Sequence, residues 1–335
     1  MKFSKSPAAK TAKSATSGSV SNRPTIGFIG LGVMGVPMVT HLHQAGYHVT
    51  LHDLNAATAR QLAKVLGGHA RAVGSPRAVA ERSDIVITML PNGQVVQNVA
   101  LGKNGLVEGF KPGALLLDTS SAEPWITQAT ALALARHQVT LVDAPVSGAQ
   151  WGAQEANLVF MVGASKAQLR RVKPLLDIMG RAVFHVGALG SGHAMKCLNN
   201  LITSVTFSAT MEGLAIGKAY GLDPAAMVQV LNESTGQSWI SQNHIAQRVL
   251  SRSFDDPFKL ELMLKDMGIA NALARNTATA APLSAVSQQL WQAASHAAGA
   301  GASVSELARW VENQAGVEVS AGISPRQRKP TTASR

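Results

Sequence analysis

The fold is decided by residues 25–53, which read TIGFIGLGVMGVPMVTHLHQAGYHVTLHD. This stretch starts with a short apolar run, passes through a glycine-rich turn into a helical pattern that stops at Gly46, and closes with a second apolar run and Asp53. Short apolar runs next to glycine are typical of buried parallel strands. The order of strand, glycine turn, helix, strand and acid therefore predicts the first unit of a nucleotide-binding α/β fold.

The three glycines of the turn have separate predicted roles. Gly30 allows the tight turn, Gly32 lets the backbone approach a pyrophosphate, and Gly35 lets the helix pack closely on the strand. Free N–H groups at the helix N-terminus favour phosphate binding. The residues predicted to bind the cofactor here are Gly30, Leu31, Gly32, Val33, Met34 and Gly35. The alternative is a tight turn that binds no ligand.

Asp53 indicates which dinucleotide the turn accepts. An acid at the end of the second strand accepts hydrogen bonds from the ribose hydroxyls of the adenosine and repels a 2′-phosphate. Leu54 and Asn55 follow it, so no arginine stands directly after the acid. The sequence therefore favours NAD over NADP.

The alternation of strands continues through the first half of the chain. Apolar runs at 85–90, 114–118 and 140–146 predict further strands, and ligands of a doubly wound sheet lie beyond the carboxyl ends of its strands. The residues predicted on this ground to line the nicotinamide side of the crevice are Leu90, Pro91 and Ser121. Residues 119–121 have an alternative role as the N-cap of the helix that follows.

The second half of the chain has helical patterns. Residues 192–220 contain no proline and carry apolar residues at helical spacing, which predicts one long, mostly buried helix. Lys196 and Asn200 lie four residues apart and share one face of it; the alternative is a lysine that reaches solvent at the helix end. We predict an α/β fold, in which this helix joins a Rossmann-type doubly wound sheet (25–188) to an all-α C-terminal domain (189–319).

The stretch 143–148, DAPVSG, leads from the end of a predicted strand into a loop of small residues. The hydroxyl of Ser147 and the backbone N–H groups of Gly148 and Ala149 are donors that suit a carboxylate. An ordinary turn without a ligand explains these residues equally well.

Four separated motifs give the chain a recognisable pattern: GFIGLGVMG at 27–35, DAPVSG at 143–148, GSGHAMKCLNN at 190–200 and LMLKDMGIA at 262–270. In type and in order, these motifs resemble those of the β-hydroxyacid dehydrogenase family. The resemblance covers nearly everything except the two ends of the chain.

The resemblance implies roles for individual residues. Lys196 would be the catalytic residue with Asn200 beside it, and Ser147 and Gly148 would bind the substrate carboxylate. Lys265, with Asp266 next to it, would reach both cofactor and substrate from the C-terminal domain. The further residues implied to contact NAD are Leu90, Pro91 and Ser121.

The resemblance also implies the reaction, which is hydride transfer between NAD and a small 3-hydroxy acid or its semialdehyde. An NADH-dependent reductase of the tartronate or succinic semialdehyde type is the alternative. The chain departs from the family at Ala149 and Ala156, where glycine is common, and Trp151 adds bulk to the same loop. These departures affect the identity of the substrate more than the chemistry.

The distribution of charge along the chain limits which partners we expect. The 335-residue chain has a formal net charge of +11, but nine basic residues lie in the acid-free segments 1–24 and 320–335, which leaves +2 on residues 25–319. We predict disordered basic tails and no specific nucleic-acid binding. A non-catalytic NAD-binding scaffold whose tails bind a polyanion is the rival hypothesis. No apolar run reaches the ~20 residues of a membrane span, so no membrane partner is expected.

The remaining expectations concern compartment, metal and assembly. Cys197 is the only cysteine, so no intramolecular disulfide can form, and a small buried residue is favoured over a reactive thiol. A cytoplasmic location is predicted, with an organelle transit peptide as the alternative. His41 and His43 point in different directions on a helix, and no metal site is predicted. The large apolar helical half favours a homodimer or homotetramer.

Overall fold

The computed structural model describes residues 23–321, which form a sheet followed by a helical half. The strands are β1 (Ile26–Ile29), β2 (Val49–His52), β3 (Ala70–Ala72), β4 (Ile85–Thr88), β5 (Leu115–Asp118), β6 (Thr140–Asp143), β7 (Val146–Ser147), β8 (Leu158–Gly163) and β9 (Gly180–Gly187). The order is β3-β2-β1-β4-β5-β6-β8, with β7 and β9 also paired to β8. From β3 to β6 all pairs are parallel, and β8 runs antiparallel to β6. The predicted Rossmann-type doubly wound sheet is confirmed.

One predicted strand is divided in two. The run 140–146 forms β6 and β7, with Pro145 between them. Proline has no N–H to donate to a neighbouring strand, so it interrupts the ladder. Ser147 consequently pairs with Val159 of β8 instead of continuing beside β5.

Helices connect the strands and cover the sheet. They are α1 (Gly35–Gln44), α2 (Ala56–Leu66), α3 (Pro76–Ala80), α4 (Gly93–Leu101), a 3-10 turn (Leu106–Glu108), α5 (Pro124–Ala135), α6 (Ala149–Gln154) and α7 (Lys166–Met179). Successive side chains of β4 enter two hydrophobic clusters: Ile85 and Ile87 lie in one and Val86 in the other. Both faces of the sheet are therefore buried, which explains its continuous apolar runs.

The helical half has its own hydrophobic core. Its elements are α8 (Ser191–Tyr220), α9 (Pro224–Asn232), a π-helical segment (Ile240–Leu250), α10 (Leu260–Asn276), α11 (Pro282–Ala298) and α12 (Glu306–Ala315). Phe207, Met211 and Trp291 lie at the centre of this core, and the indole N–H of Trp291 donates to Ser208 Oγ at 2.9 Å. The predicted helical C-terminal domain is confirmed.

The first turns of α8 bury a different face from the one that its apolar residues indicated. The exposed fractions are 36% for Met195, 40% for Leu198 and 63% for Ile202. Lys196 and Asn200 are buried instead. The prediction of a mostly buried apolar helix was therefore wrong for this segment, because the face with Lys196 and Asn200 packs towards α10 and leaves Met195, Leu198 and Ile202 partly exposed.

The two halves meet close to the predicted division. The sheet ends at Gly187 and α8 begins at Ser191; the domain boundaries stay a prediction. Most of the two predicted basic tails lies outside the described residues. Arg23 is an exception, because its guanidinium carbon stands 5.4 Å from the ring centroid of Tyr47. Within residues 23–321, no helix has the length and apolar character needed to cross a membrane.

Candidate active site

The glycine turn between β1 and α1 is closed on two sides and open on the third. Gly30 has a φ of +97°, and a Cβ there would stand 2.2 Å from the carbonyl oxygen of Met89. A Cβ at Gly35 would stand 1.9 Å from the oxygen of Gly30. A Cβ at Gly32 would meet nothing within 4 Å. The space beside Gly32 is the cradle into which a pyrophosphate would fit.

Asp53 is tied to this turn by its carboxylate. Oδ2 accepts the backbone N–H of Leu31 at 2.7 Å, and Oδ1 accepts that of Asn55 at 2.8 Å. Each carboxylate oxygen keeps a further lone pair for another donor. The acid and the turn are thus held in one arrangement before any ligand binds.

The ends of β4 and β5 are joined by side chains. Leu90 donates its backbone N–H to Ser120 Oγ at 2.9 Å, and the hydroxyl of Thr119 donates to the oxygen of Thr88 at 2.6 Å. The alternative role of residues 119–121 as a helix N-cap is wrong, because α5 starts after Glu123 without a side-chain cap. These hydroxyls join neighbouring strand ends.

A chain of polar contacts runs from α8 to α10. Lys196, 8% exposed, donates from Nζ to Asn200 Oδ1 at 3.2 Å. Asn200 donates from Nδ2 to Asp266 Oδ2 at 2.6 Å, and Asp266 Oδ1 lies 3.3 Å from Lys265 Nζ. The alternative of a solvent-reaching Lys196 is wrong.

Lys265 connects the helical half to the sheet. Its amine donates to the carbonyl oxygen of Pro91 at 3.1 Å and to the carbonyl oxygen of Ser121. Pro91 and Ser121 follow β4 and β5, so one lysine of α10 reaches two neighbouring strand ends. The structure thereby brings the predicted residues Pro91, Ser121 and Lys265 together.

Burial controls the amine of Lys196. Desolvation lowers the pKa of Lys196 below its ordinary 10.5, and the nearby positive charge of Lys265 acts in the same direction. Asp266 and Cys197 oppose the change. A lysine with a lowered pKa can exchange a proton nearer to neutral pH than a free lysine can.

The predicted substrate turn follows β6 and begins in β7, which pairs with β8. Ser147 ends β7, and Gly148 follows with a φ of +131°. Four residues before Ser147, the carboxylate of Asp143 accepts the backbone N–H groups of Gly190 and His193 at 2.8 and 2.9 Å. The turn and the start of α8 are therefore joined by a side chain that was not among the predicted site residues.

A second buried residue, His193, was also absent from the predictions. Its ring is fully buried, with Nδ1 2.8 Å from Thr127 Oγ1 and Nε2 3.5 Å from Asp118 Oδ2. Burial raises the pKa of Asp143, while His193 and the backbone N–H groups lower it. A possible signal in the sequence was the pair of acids at the ends of two adjacent strands, Asp118 and Asp143.

The loop that departs from the family pattern has an unusual backbone. Ala149 and Ala156 have φ values of +54° and +53°, a region that favours glycine. Trp151 stacks under Arg248, whose guanidinium carbon is 5.3 Å from the ring centroid.

No group of three or more His, Cys, Asp or Glu residues within 23–321 is arranged to hold a metal ion. Cys197 is buried, and burial raises its thiol pKa to about 12. The thiol therefore stays protonated at neutral pH.

Comparison with known proteins gives the chain relatives over both halves. Residues 25–187 match the family model for the NAD binding domain of 6-phosphogluconate dehydrogenase, and residues 190–311 match the model described as NAD-binding of NADP-dependent 3-hydroxyisobutyrate dehydrogenase. The 2-(hydroxymethyl)glutarate dehydrogenase of Eubacterium barkeri is 35% identical, over 89% of this chain and 98% of that protein. The NAD-dependent L-serine dehydrogenase of Pseudomonas aeruginosa is 33% identical, over 80% and 91%.

A solved structure agrees with these matches. The 3-hydroxyisobutyrate dehydrogenase of Mycobacterium tuberculosis, determined with L-serine, has a TM-score of 0.80 and 29% identity, covering 86% of this chain and 99% of that one. The chain therefore belongs to the class of nicotinamide-dependent dehydrogenases in which a long helix joins a Rossmann-type sheet to a helical domain.

Within that class, the chain belongs to the β-hydroxyacid dehydrogenase family, as its four motifs predicted. It is an NAD-dependent oxidoreductase that acts on CH–OH groups.

Proposed function

We propose that this protein transfers hydride between NAD and a small 3-hydroxy acid or its semialdehyde, with Lys196 as general acid and base. The observation that carries this proposal is the buried amine of Lys196, which donates to Asn200, whose own amide donates to Asp266. Burying a lysine amine costs free energy, and a buried amine with a lowered pKa beside polar partners is typical of a functional site.

The bound nicotinamide would supply or accept the hydride. The residues proposed to hold the cofactor follow the carboxyl ends of β1, β2, β4 and β5, with one lysine added from α10: Gly30, Leu31, Gly32, Val33, Met34, Gly35, Asp53, Leu90, Pro91, Ser121 and Lys265. The open space beside Gly32 supports phosphate binding, and the acid at Asp53 supports NAD over NADP.

The substrate would be oriented by its carboxylate. Ser147 would offer a hydroxyl and Gly148 a backbone N–H, and Lys265 would add a positive charge. Lys196 would donate a proton to the substrate oxygen during reduction and accept it during oxidation. General acid–base help of this kind is worth roughly 10²–10⁴-fold. Asn200 Oδ1 accepts the hydrogen bond of the amine and would orient it.

A second candidate is a reductase of tartronate or succinic semialdehyde type. The named relatives act on different hydroxy acids, which supports a small carboxylate substrate without selecting one. The non-catalytic scaffold is disfavoured by the buried Lys196–Asn200 pair, which binding of a dinucleotide alone does not require.

The test is a panel of small hydroxy acids and semialdehydes with NAD and with NADP, followed by absorbance of the reduced cofactor. We expect turnover with NAD, lost by about 10²-fold or more in Lys196→Ala with NAD affinity retained. Lys64→Ala, an exposed lysine of α2, is the matched control and keeps full turnover. Full turnover by Lys196→Ala would exclude the proposed proton donor.

The same proposal includes assembly and location. The exposed apolar side chains of Ile202, Ile216 and Tyr220 on α8 support a homodimer or homotetramer, because large apolar patches are rare on monomers. Light scattering of the purified protein tests this. We expect a cytoplasmic protein that binds no specific nucleic acid. Fluorescence of a tagged chain distinguishes this location from a mitochondrial one.

A further inference from the structure

The carboxylate of Asp143 joins the end of β6 to the start of α8. Asp143 is the last residue of β6, is fully buried, and precedes the predicted substrate turn by four residues. Its Oδ1 accepts the N–H of Gly190 at 2.8 Å, and its Oδ2 accepts that of His193 at 2.9 Å. Both N–H groups belong to the start of α8, where a helix leaves its donors without partners of its own.

The carboxylate is confined on the remaining sides. A Cβ at Gly163 would stand 2.3 Å from Oδ1, and a Cβ at Gly192 would stand 2.8 Å from Oδ2. The ring of His193 closes a third side, with Nδ1 3.9 Å from Oδ2. Only glycine at those two positions leaves room for Asp143, so the carboxylate occupies one position.

We propose that Asp143 is a positioning residue, which sets the placement of Lys196 relative to the Ser147–Gly148 turn. Lys196 follows His193 by three residues, so it lies on the next turn of the helix that Asp143 anchors. The anchor and the turn belong to the same short stretch of chain. Moving the carboxylate therefore moves the amine relative to the turn.

The consequence concerns turnover more than binding of the cofactor, whose glycine turn lies on β1. A misplacement of a reacting group by about 1 Å costs on the order of 10²-fold in rate. This inference rests on the proposed role of Lys196 as the proton donor.

The test is Asp143→Asn, in which one carboxylate oxygen becomes an NH₂ group that faces an N–H donor. We expect kcat to fall about 10–10²-fold with the Kd for NAD unchanged. We also expect the rising limb of the kcat profile for oxidation to move to higher pH, because a displaced Lys196 gains solvent and its pKa returns towards the ordinary value. Loss of stability alone does not shift that limb.

Asp256→Asn is the matched control. Asp256 is also buried, lies 3.4 Å from the ring of a histidine, His244, and accepts the N–H of Phe258 at 2.8 Å, but it belongs to the helical core. It should lower the free energy of unfolding and leave kcat and its pH profile unchanged. His193→Gln keeps the backbone N–H that Asp143 accepts but removes the ring beside the carboxylate. It should lower kcat and shift the limb in the same direction as Asp143→Asn, by a smaller amount.

The results separate this inference from the proposed function. If Lys196→Ala abolishes turnover while Asp143→Asn and His193→Gln keep kcat and the pH limb of the parent, Asp143 is not a positioning residue. If Asp143→Asn does not fold, His193→Gln decides by the same two readings. Retained turnover in Lys196→Ala contradicts the proton-donor role, whatever the Asp143 variant does.

Discussion

The burial of Lys196 sets the protonation chemistry proposed for it. Its amine is removed from solvent and touches Asn200, and Lys265 adds a like charge nearby. Both effects lower its pKa. A free lysine has a pKa of about 10.4, which is too high for a base at neutral pH. The burial that costs free energy therefore also lowers the pKa and makes the amine a better proton carrier.

The two reaction directions should respond to pH in opposite ways. Oxidation of the alcohol requires neutral Lys196, so its kcat should rise with pH, whereas reduction requires the ammonium form and should decline. Each limb should have its midpoint below 10.5, the ordinary pKa of the amine, because burial lowers the pKa of Lys196. Steady-state kcat measured from neutral to alkaline pH in both directions checks this, and a midpoint at or above the ordinary value would refute the proposed coupling.

Ala149 and Ala156 carry a conformational cost that the protein can lose. Both have positive φ, and a left-handed backbone costs a residue with a Cβ about 1–2 kcal/mol. Ala149→Gly and Ala156→Gly should each raise the free energy of unfolding by up to about 1 kcal/mol, measured by urea denaturation.

The control for these substitutions lies in a regular helix. Ala226→Gly in α9 should lower the free energy of unfolding by about 0.5–1 kcal/mol, because glycine is unfavourable there. Destabilisation by all three substitutions would show that the positive φ values store no strain.

In the turn that joins β1 to α1, Gly35 is expected to matter for stability and Gly32 for NAD binding. A Cβ at Gly35 collides with the backbone of Gly30, whereas a Cβ at Gly32 enters open space. Gly35→Ala should therefore destabilise the protein by about 1–3 kcal/mol, as overpacking does. Gly32→Ala should leave stability within about 0.5 kcal/mol of the parent.

Gly32→Ala should nevertheless weaken NAD binding by at least about tenfold, or ~1.4 kcal/mol, because the methyl group occupies the cradle. Thermal unfolding and a fluorescence titration with NADH measure the two effects. Normal NADH affinity in Gly32→Ala would place the pyrophosphate elsewhere.

The helical half and the sheet act together through Lys265. Its amine reaches the oxygens of Pro91 and Ser121 and stands beside Asp266. Its positive charge, on α10, also lowers the pKa of Lys196 on α8. The proposed cofactor contact and the proposed proton donor are thus electrostatically coupled.

Lys265→Met should raise the KM for NAD and shift the rising limb of the oxidation profile to higher pH, because one charge that opposes protonation of Lys196 is removed. Lys166→Met, on an exposed position of α7, should change neither. An altered KM with an unmoved limb would mean that Lys265 contacts the cofactor without influencing Lys196.

Local sequence was sufficient for the elements and part of the site. The glycine turn, Asp53 at a strand end and the spacing of Lys196 and Asn200 depend on neighbours within one or two turns of chain, whose geometry is set by backbone period. The same local reasoning failed for Met195 and Ile202, because periodicity shows that a face is apolar and not what covers it.

Tertiary structure alone decided the partners. Asp266 meets Asn200 from 66 residues away, and Asp143 meets His193 from 50 residues away. Such contacts depend on how β6, α8 and α10 pack, which no short stretch of sequence encodes. The sequence determined which groups carry the chemistry; packing determined which are buried and therefore where their protons are held, because desolvation depends on everything that surrounds a charge.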